Sequence, residues 1–168
     1  MLLATSTAKP EDASYVEIAA AARSAMASTL SVMSASDFIA GILTILESES
    51  IHVSFRVFHS VPNRLMILVQ ARSGAFELLG ERLNEVAETA RRALSSSIVK
   101  VVDVTRSILS TSEEVSLLRS SLQALATIGN TLVPGEEGSI AATVPSVLVC
   151  LSRPEIRVSA LQTLHAFS

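Results

Sequence analysis

The chain has 168 residues, of which 49% are hydrophobic and only 4% aromatic. A chain of this length buries roughly 70% of its unfolded surface, so its core must be built from aliphatic side chains, which is typical of helices packed on helices. The net charge of −3 and the scattered basic residues argue against an electrostatic grip on nucleic acid, although a weak RNA contact through a few phosphates is compatible with them.

Cysteine usage and the ends of the sequence indicate a cellular compartment. Cys150 is the only cysteine, so an intrachain disulfide is excluded and we expect a reducing, intracellular location. The first five residues lack the basic start and the apolar stretch of a signal peptide. The longest apolar runs are too short for a membrane span or are interrupted by Arg23, so we expect no membrane contact.

Helical spacing begins early in the chain. Residues 10–12 (Pro-Glu-Asp) are typical of a first helical turn, and apolar residues then recur every three or four positions as far as residue 34. Ser36 and Asp37 can cap a second helix. The apolar face of that second helix is predicted to contain Phe38, Ile39, Ile42, Leu43 and Leu46.

The middle of the chain is predicted to be helical as well. The polar residues 47–50 form a tight connection, a helix over residues 51–61 stops at Pro62, and a longer helix covers residues 64–83. A short helix over residues 85–94 carries Arg91 and Arg92. Residues 98–104 are β-branched and resemble a strand. Their apolar spacing nevertheless continues at helical intervals through Ile98, Val101, Val102, Thr105, Ile108 and Leu109, which favours a helix.

The last third of the chain contains the clearest loop. Val115, Leu118, Leu122, Leu125, Gly129 and Leu132 form one helical face, and residues 134–138 (Pro-Gly-Glu-Glu-Gly) then form a turn. A helix with Ile140, Val144, Val147, Leu148 and Leu151 on one face is interrupted by Pro145. Arg153 and Pro154 turn the chain into a final helix. No Asn-Gly or Asp-Gly hairpin signal occurs in the sequence.

A short pattern recurs in three of these helices. A small or short residue, a large apolar residue, a polar residue, any residue and Leu follow one another at residues 75–79, 121–125 and 160–164. Successive copies of the pattern are offset by 46 and 39 positions. These offsets are close to the 40–47-residue period of HEAT and armadillo repeats, in which stacked helix pairs share one core. We expect Leu79, Leu125 and Leu164 to be buried at equivalent places. An ordinary helical bundle with coincidental similarity is the alternative.

Two segments add a family resemblance. Residues 154–161 (PEIRVSAL) resemble the second helix of a HEAT repeat, and residues 142–148 (ATVPSVL) resemble a first helix with its proline. Residues 126–137 (ATIGNTLVPGEE) and 74–83 (GAFELLGERL) are similar to fungal members of the family of the giant HEAT-repeat subunit of the small-subunit processome. That resemblance implies a piece of a longer helical scaffold that serves ribosome assembly in the nucleolus.

Isolated reactive residues do not form a convincing chemical site. His52 and His59 are about 10 Å apart along a helix, too far to share one metal ion, and His165 has no evident partner. Cys150 lies at core spacing with no basic neighbour to lower its pKa. The acidic turn at residues 134–138 lacks the pattern of a phosphate or calcium loop, so we expect a solvated turn.

Two polar segments remain. Residues 95–97 (three serines) are expected to cap a helix. Arg91 and Arg92 with Lys100 are expected to be a solvated helix end rather than an RNA-binding patch.

We therefore predict an all-α fold: an α-solenoid of about eight helices stacked as antiparallel pairs, in a single domain over residues 1–168. No residue is assigned a catalytic, cofactor-binding or metal-binding role, and no small-molecule substrate is expected. The predicted function is a non-enzymatic scaffold that binds other proteins of a large assembly. The alternatives are an adaptor or transport-receptor module that binds a cargo peptide, and a helical-bundle enzyme. Because the sequence stops inside an amphipathic helix, we expect either self-association through that end or exposure of Leu161, Leu164 and Phe167.

Overall fold

The computed structural model describes residues 33–48 and 62–168, with side chains from residue 68 onward in the second range. The predicted helices over residues 10–34 and 51–61 lie outside these ranges, as do His52 and His59. The chain separates into two units, Met1–Ser34 and Ala35–Ser168. All the helices described below belong to the second unit.

The described residues form seven helices and contain no strand, so the all-α prediction is confirmed for this part of the chain. In chain order the helices are α1 (Ala35–Glu47), α2 (Pro62–Glu85), α3 (Glu88–Ala93), α4 (Ser95–Thr111), α5 (Val115–Asn130), α6 (Glu137–Cys150) and α7 (Arg157–Ala166).

Six of the helices pack as three consecutive pairs. Helix α1 packs on α2, α4 on α5, and α6 on α7. The first members of the pairs also contact one another in the order α1, α4, α6, and the second members do so in the order α2, α5, α7. The short helix α3 leads directly into α4. Each pair therefore touches the following pair through both of its helices.

The predicted apolar faces agree well with the buried residues in α1, α4 and α5. In α6 the predicted face is wrong in part, because Ile140 and Val147 are buried but Leu148 is 49% exposed. In α4 the six buried residues are the six that the helical spacing indicated, which confirms a helix for the β-branched segment. In α1, Phe38, Ile39, Ile42 and Leu46 are buried, as predicted, and Leu43 is half-buried. In α5, Leu118, Leu122 and Leu125 are fully covered, but Val115 and Leu132 at its two ends are exposed.

Several predicted helix boundaries are wrong. Ser36 and Asp37 lie inside the first turn of α1 rather than before it. The three serines at 95–97 do not cap α4, because Leu94 stands at the junction in a helical conformation and α3 continues almost directly into α4. Helix α6 runs through Pro145 without a break. The proline removes one hydrogen bond, and both Pro145 and Ala141 are exposed to water there.

The recurring pattern marks equivalent core positions in two helices and a different one in the third. Leu79 and Leu125 are both fully buried. Leu164 is only half-buried, so its predicted equivalence is wrong. Helix α7 turns Ala160 and Thr163 toward the core instead. Thr163 is accommodated there because its hydroxyl donates to the carbonyl oxygens of Leu122 (2.9 Å) and Ser159 (2.8 Å).

A glycine allows α5 and the end of α7 to approach closely. A Cβ atom at Gly129 would lie 2.8 Å from Cδ1 of Phe167 and 2.9 Å from the carbonyl oxygen of Ala166. Real Cβ atoms do not come this close to other heavy atoms, so any larger residue at position 129 would have to push α7 away. Phe167 itself is half-buried.

Candidate functional site

A buried ion pair joins α3 to the start of α6. Arg91 donates from Nη1 to Oε1 of Glu136 at 2.6 Å and from Nη2 to Oε2 at 2.9 Å, which is the bidentate geometry of a guanidinium on a carboxylate. The side chain of Arg91 is 2% exposed and that of Glu136 is 0% exposed. Two opposite charges removed from water in this way hold each other in place, because either charge alone would be strongly disfavoured there.

This ion pair contradicts two predictions. The turn at residues 134–138 is not fully solvated, because Glu136 points into the protein, and Arg91 is not part of a solvated helix end. The neighbours behave as predicted. Arg92 is exposed and pairs with Glu88 at 2.5 Å on the surface of α3. Lys100 is also exposed, but Arg91 is unavailable to it, so the three cations do not form one patch.

The second acid of the turn binds its own backbone. Gly135 has a φ of +103°, a conformation that glycine adopts readily, and its N–H donates to Oε2 of Glu137 at 2.7 Å. Hydrogen bonds from the backbone N–H groups of Glu137 and Gly135 lower the pKa of the Glu137 carboxyl. The two acids are thus used in packing and in the turn. Among the described residues, no group of three or more His, Cys, Asp or Glu side chains is arranged to hold a metal ion.

An open cleft lies beside the ion pair. It has a volume of about 240 Å³ and is lined by Val86, Glu88, Arg91, Thr131, Leu132 and Val133. Nε of Arg91 is buried and has no hydrogen-bond partner among the described residues. Each terminal nitrogen of the guanidinium uses one of its two N–H groups on Glu136, whose carboxylate also neutralises the positive charge.

Cys150 is a packing residue in this structure. It is 2% exposed and lies 3.4 Å from the carbonyl oxygen of Ser146, to which its thiol donates. Burial raises the pKa of the Cys150 thiol, and the positive charge of Arg153 lowers it by a smaller amount. The sequence argument overlooked Arg153, three positions further on, but the effect of burial is larger. A neutral, covered thiol is a poor nucleophile. His165 lies on the exposed side of α7.

An uncovered apolar surface lies on the last helix pair. Leu148 and Val149 of α6 are 49% and 65% exposed, and Val158 and Leu161 of α7 are 67% and 53% exposed. We call these four residues the α6–α7 outer face. Of the three residues that we expected to be exposed near the end of the chain, Leu161 belongs to this face, whereas Leu164 and Phe167 are half-buried.

Leu148 and Leu161 of the α6–α7 outer face point away from the preceding helix pair. In α6, Ser146 contacts α4, since its Oγ lies 3.3 Å from Oγ of Ser110. Leu148 is two residues further along, which is about 200° around a helix. In α7, Thr163 bonds to Leu122 of α5, and Leu161 is again two residues away. Both leucines therefore lie on the side of their helix that faces away from α4 and α5.

Comparisons with known proteins identify no relative. No protein-family model matches the chain, and neither a curated protein nor a solved structure matches it. In the part of the chain that the structure describes, no helix is both long and apolar enough to cross a membrane.

Proposed function

We propose that this chain is a non-enzymatic scaffold, an α-solenoid of HEAT-type helix pairs that binds other proteins. The observation that carries the proposal is the order in which the helices contact one another. The first pair touches the second, and the second touches the third, each time through both helices of the pair. Repeat proteins of this kind are held together by contacts between neighbouring pairs, and their remaining surface is free to bind partners.

The polar contacts between neighbouring pairs support a repeat. Those that join the second pair to the third link residues 36 or 41 positions apart, and Arg91 and Glu136 are 45 positions apart. These separations are near the length of one HEAT or armadillo repeat. The contacts between the second and third pairs are Asp103 with Ser139, Ser110 with Ser146, Arg119 with Glu155, Arg153 with Ser112, and Thr163 with Leu122.

The use of the polar groups also supports a binding role. Arg91 and Glu136 neutralise each other in the interior, Glu137 binds its own turn, and Cys150 is covered. These are the groups from which a hydrolytic or nucleophilic site would be built. In this chain they hold helices and turns in position.

We place the scaffold in the assembly of the small ribosomal subunit, within the nucleolus. This part rests on the resemblance of residues 74–83 and 126–137 to the giant HEAT-repeat subunit of the processome. The two segments lie close together, because residues 74–83 belong to α2 and residues 126–130 to α5, and these helices pack on each other. A Cβ atom at Gly80 would lie 3.6 Å from Oγ1 of Thr127.

An affinity purification from cells tests this assignment. The tagged chain should co-purify precursor ribosomal RNA and small-subunit assembly proteins, and should sediment with pre-ribosomal particles. A Leu125→Asp variant, which places a charge in the core, should lose this association, whereas Gln123→Glu on the exposed side of α5 should keep it. Recovery of transport cargo without ribosomal RNA would favour the adaptor alternative and contradict the proposal.

A further inference from the structure

We propose that α3 is a releasable strap, fastened to the helix stack by the Arg91–Glu136 ion pair and able to open while the neighbouring helices stay folded. Its opening would remove one wall of the cleft beside Arg91 and uncover the carboxylate of Glu136. The inference goes beyond the scaffold role and does not depend on it.

The first argument is the packing of α3. Of its six side chains, that of Arg91 is buried and the other five are exposed, the two alanines Ala90 and Ala93 included. Helix α3 therefore places no apolar side chain in the core. Among the described helices, its main neighbour is α4, which follows it directly in the chain. The contact that joins α3 to a distant part of the chain is the ion pair with Glu136.

The second argument is the length of α3. Isolated helices shorter than about 12–15 residues are marginal in water, and α3 has six residues with no side-chain hydrogen bond at its N-cap, Ala87. The exposed pair of Arg92 with Glu88 joins α3 only to itself. A helix of this kind needs attachment to the rest of the protein, so loss of the ion pair should unfold it.

The backbone also sets α3 apart from the helices on either side. Ala87 has a φ of −59° and a ψ of 147°, which is an extended conformation, so α3 does not continue α2. Leu94 lies between α3 and α4 with a φ of −94° and a ψ of −3°, and its side chain is 6% exposed. Rotation at these two residues moves α3 while α2 and α4 remain in place.

The chemistry of the fastening makes it reversible. When α3 opens, water hydrates both Arg91 and Glu136, and this hydration offsets much of the attraction that is lost. A buried apolar contact offers no such compensation, because its groups are disfavoured in water. Opening therefore separates both charges into water and strands neither of them in the interior.

The cleft gives the opening a consequence. One wall is formed by Val86, Glu88 and Arg91, and the other by residues 131–133. Val133 is 4% exposed, and its carbonyl oxygen accepts a hydrogen bond from the N–H of Glu136 at 3.3 Å. Release of α3 takes the first wall away, so that a free carboxylate stands beside an apolar side chain. The closed form hides this combination of groups.

Hydrogen exchange of the whole chain, followed by NMR, tests the proposal. The reporters are the N–H groups of Arg91 and Leu94, which bond to carbonyl oxygens one turn earlier. Glu136→Gln removes one charge of the fastening and should speed their exchange by about a hundredfold. The matched control on the same helix, Arg92→Met, should change it by less than about fivefold. Leu125→Ala weakens the core and should speed exchange in α5, but leave the α3 reporters within about twofold of their wild-type rates.

Two results would overturn the inference. Equal acceleration of α3 and α5 in Leu125→Ala would mean that α3 opens only when the whole chain unfolds. Unchanged reporter rates in Glu136→Gln would mean that the ion pair does not fasten α3. Should a variant fail to fold, wild-type exchange at low urea decides: a local opening exposes little surface, so the α3 rates should stay flat while the α5 rates rise. An equally steep rise in both would also refute the strap, and none of these results bears on the scaffold proposal.

Discussion

Substituting Arg91 by Met should destabilise the protein far more than the same change at the adjacent Arg92. Methionine keeps much of the arginine stem but removes the charge. In Arg91→Met, the carboxylate of Glu136, which is 0% exposed, would be left in the interior with no cation to neutralise it. Breaking a buried ion pair in this way typically costs about 3–5 kcal/mol. The Arg92–Glu88 pair is more than half exposed on both sides, so its loss should cost about 0–1 kcal/mol.

Urea denaturation followed by circular dichroism at 222 nm gives both free energies of unfolding. The double variant Arg91→Met/Glu136→Leu should recover most of the loss, because it removes both buried charges and replaces them with apolar groups. A double-mutant cycle therefore separates the pair from its surroundings. If Arg91→Met and Arg92→Met lowered the free energy of unfolding by the same amount, to within about 0.5 kcal/mol, the buried ion pair would be refuted.

Three further predictions concern packing and the turn. Gly129→Ala should lower the free energy of unfolding by about 1–3 kcal/mol, less the usual gain of Ala in a helix, because its methyl group would meet Phe167 and Ala166. Gly74→Ala is the control, because a Cβ atom there meets nothing within 4 Å, and it should raise the free energy of unfolding by about 0.5–1 kcal/mol. If thermal melts showed both variants to be stabilised, or both to be destabilised, the α5–α7 contact would be contradicted. Leu125→Ala should cost about 2–5 kcal/mol, and Leu161→Ala, at 53% exposure, should be close to neutral; a loss below about 0.5 kcal/mol at Leu125 would place it on the surface. The carboxyl of Glu137 should titrate in NMR with a pKa below its ordinary value of 4.5, so its contribution to stability is present above that value and lost as the pH falls through the lowered pKa. A pKa at or above 4.5 would mean that its hydrogen bond to Gly135 is not formed in solution.

Local apolar spacing predicted most of the helices well. In α4, helical periodicity outweighed the β-branched composition, and the six residues indicated by the spacing are the six buried ones. The predicted turn at residues 134–138 is also present. It is shorter than predicted, because helix α6 already begins at Glu137. These features are encoded within a few residues, so a single sequence is enough to find them.

The features that the sequence did not predict depend on contacts between distant residues. Arg91 and Glu136 are 45 positions apart, and each looks like an ordinary surface residue in its own segment. One signal was present: their separation is close to the period of the proposed repeat, so opposite charges at that spacing could have been considered as a pair. Leu164 fits the recurring pattern but is half-buried. Its neighbour Thr163 lies in the core instead, with its hydroxyl donating to the carbonyl oxygen of Leu122.

The central claim is that the helix pairs are stacked in a row and not closed around one axis. Dipolar broadening of the electron spin resonance spectrum of nitroxides at Thr44 on α1 and Val149 on α6, both exposed, tests it most directly, in a Cys150→Ser background. Adjacent helix axes are about 8–10 Å apart, and α4 lies between α1 and α6 in the stack. The account predicts a distance of about 20 Å between the labels. A distance near 10 Å, as expected when α1 and α6 are neighbours in a closed bundle, would contradict it.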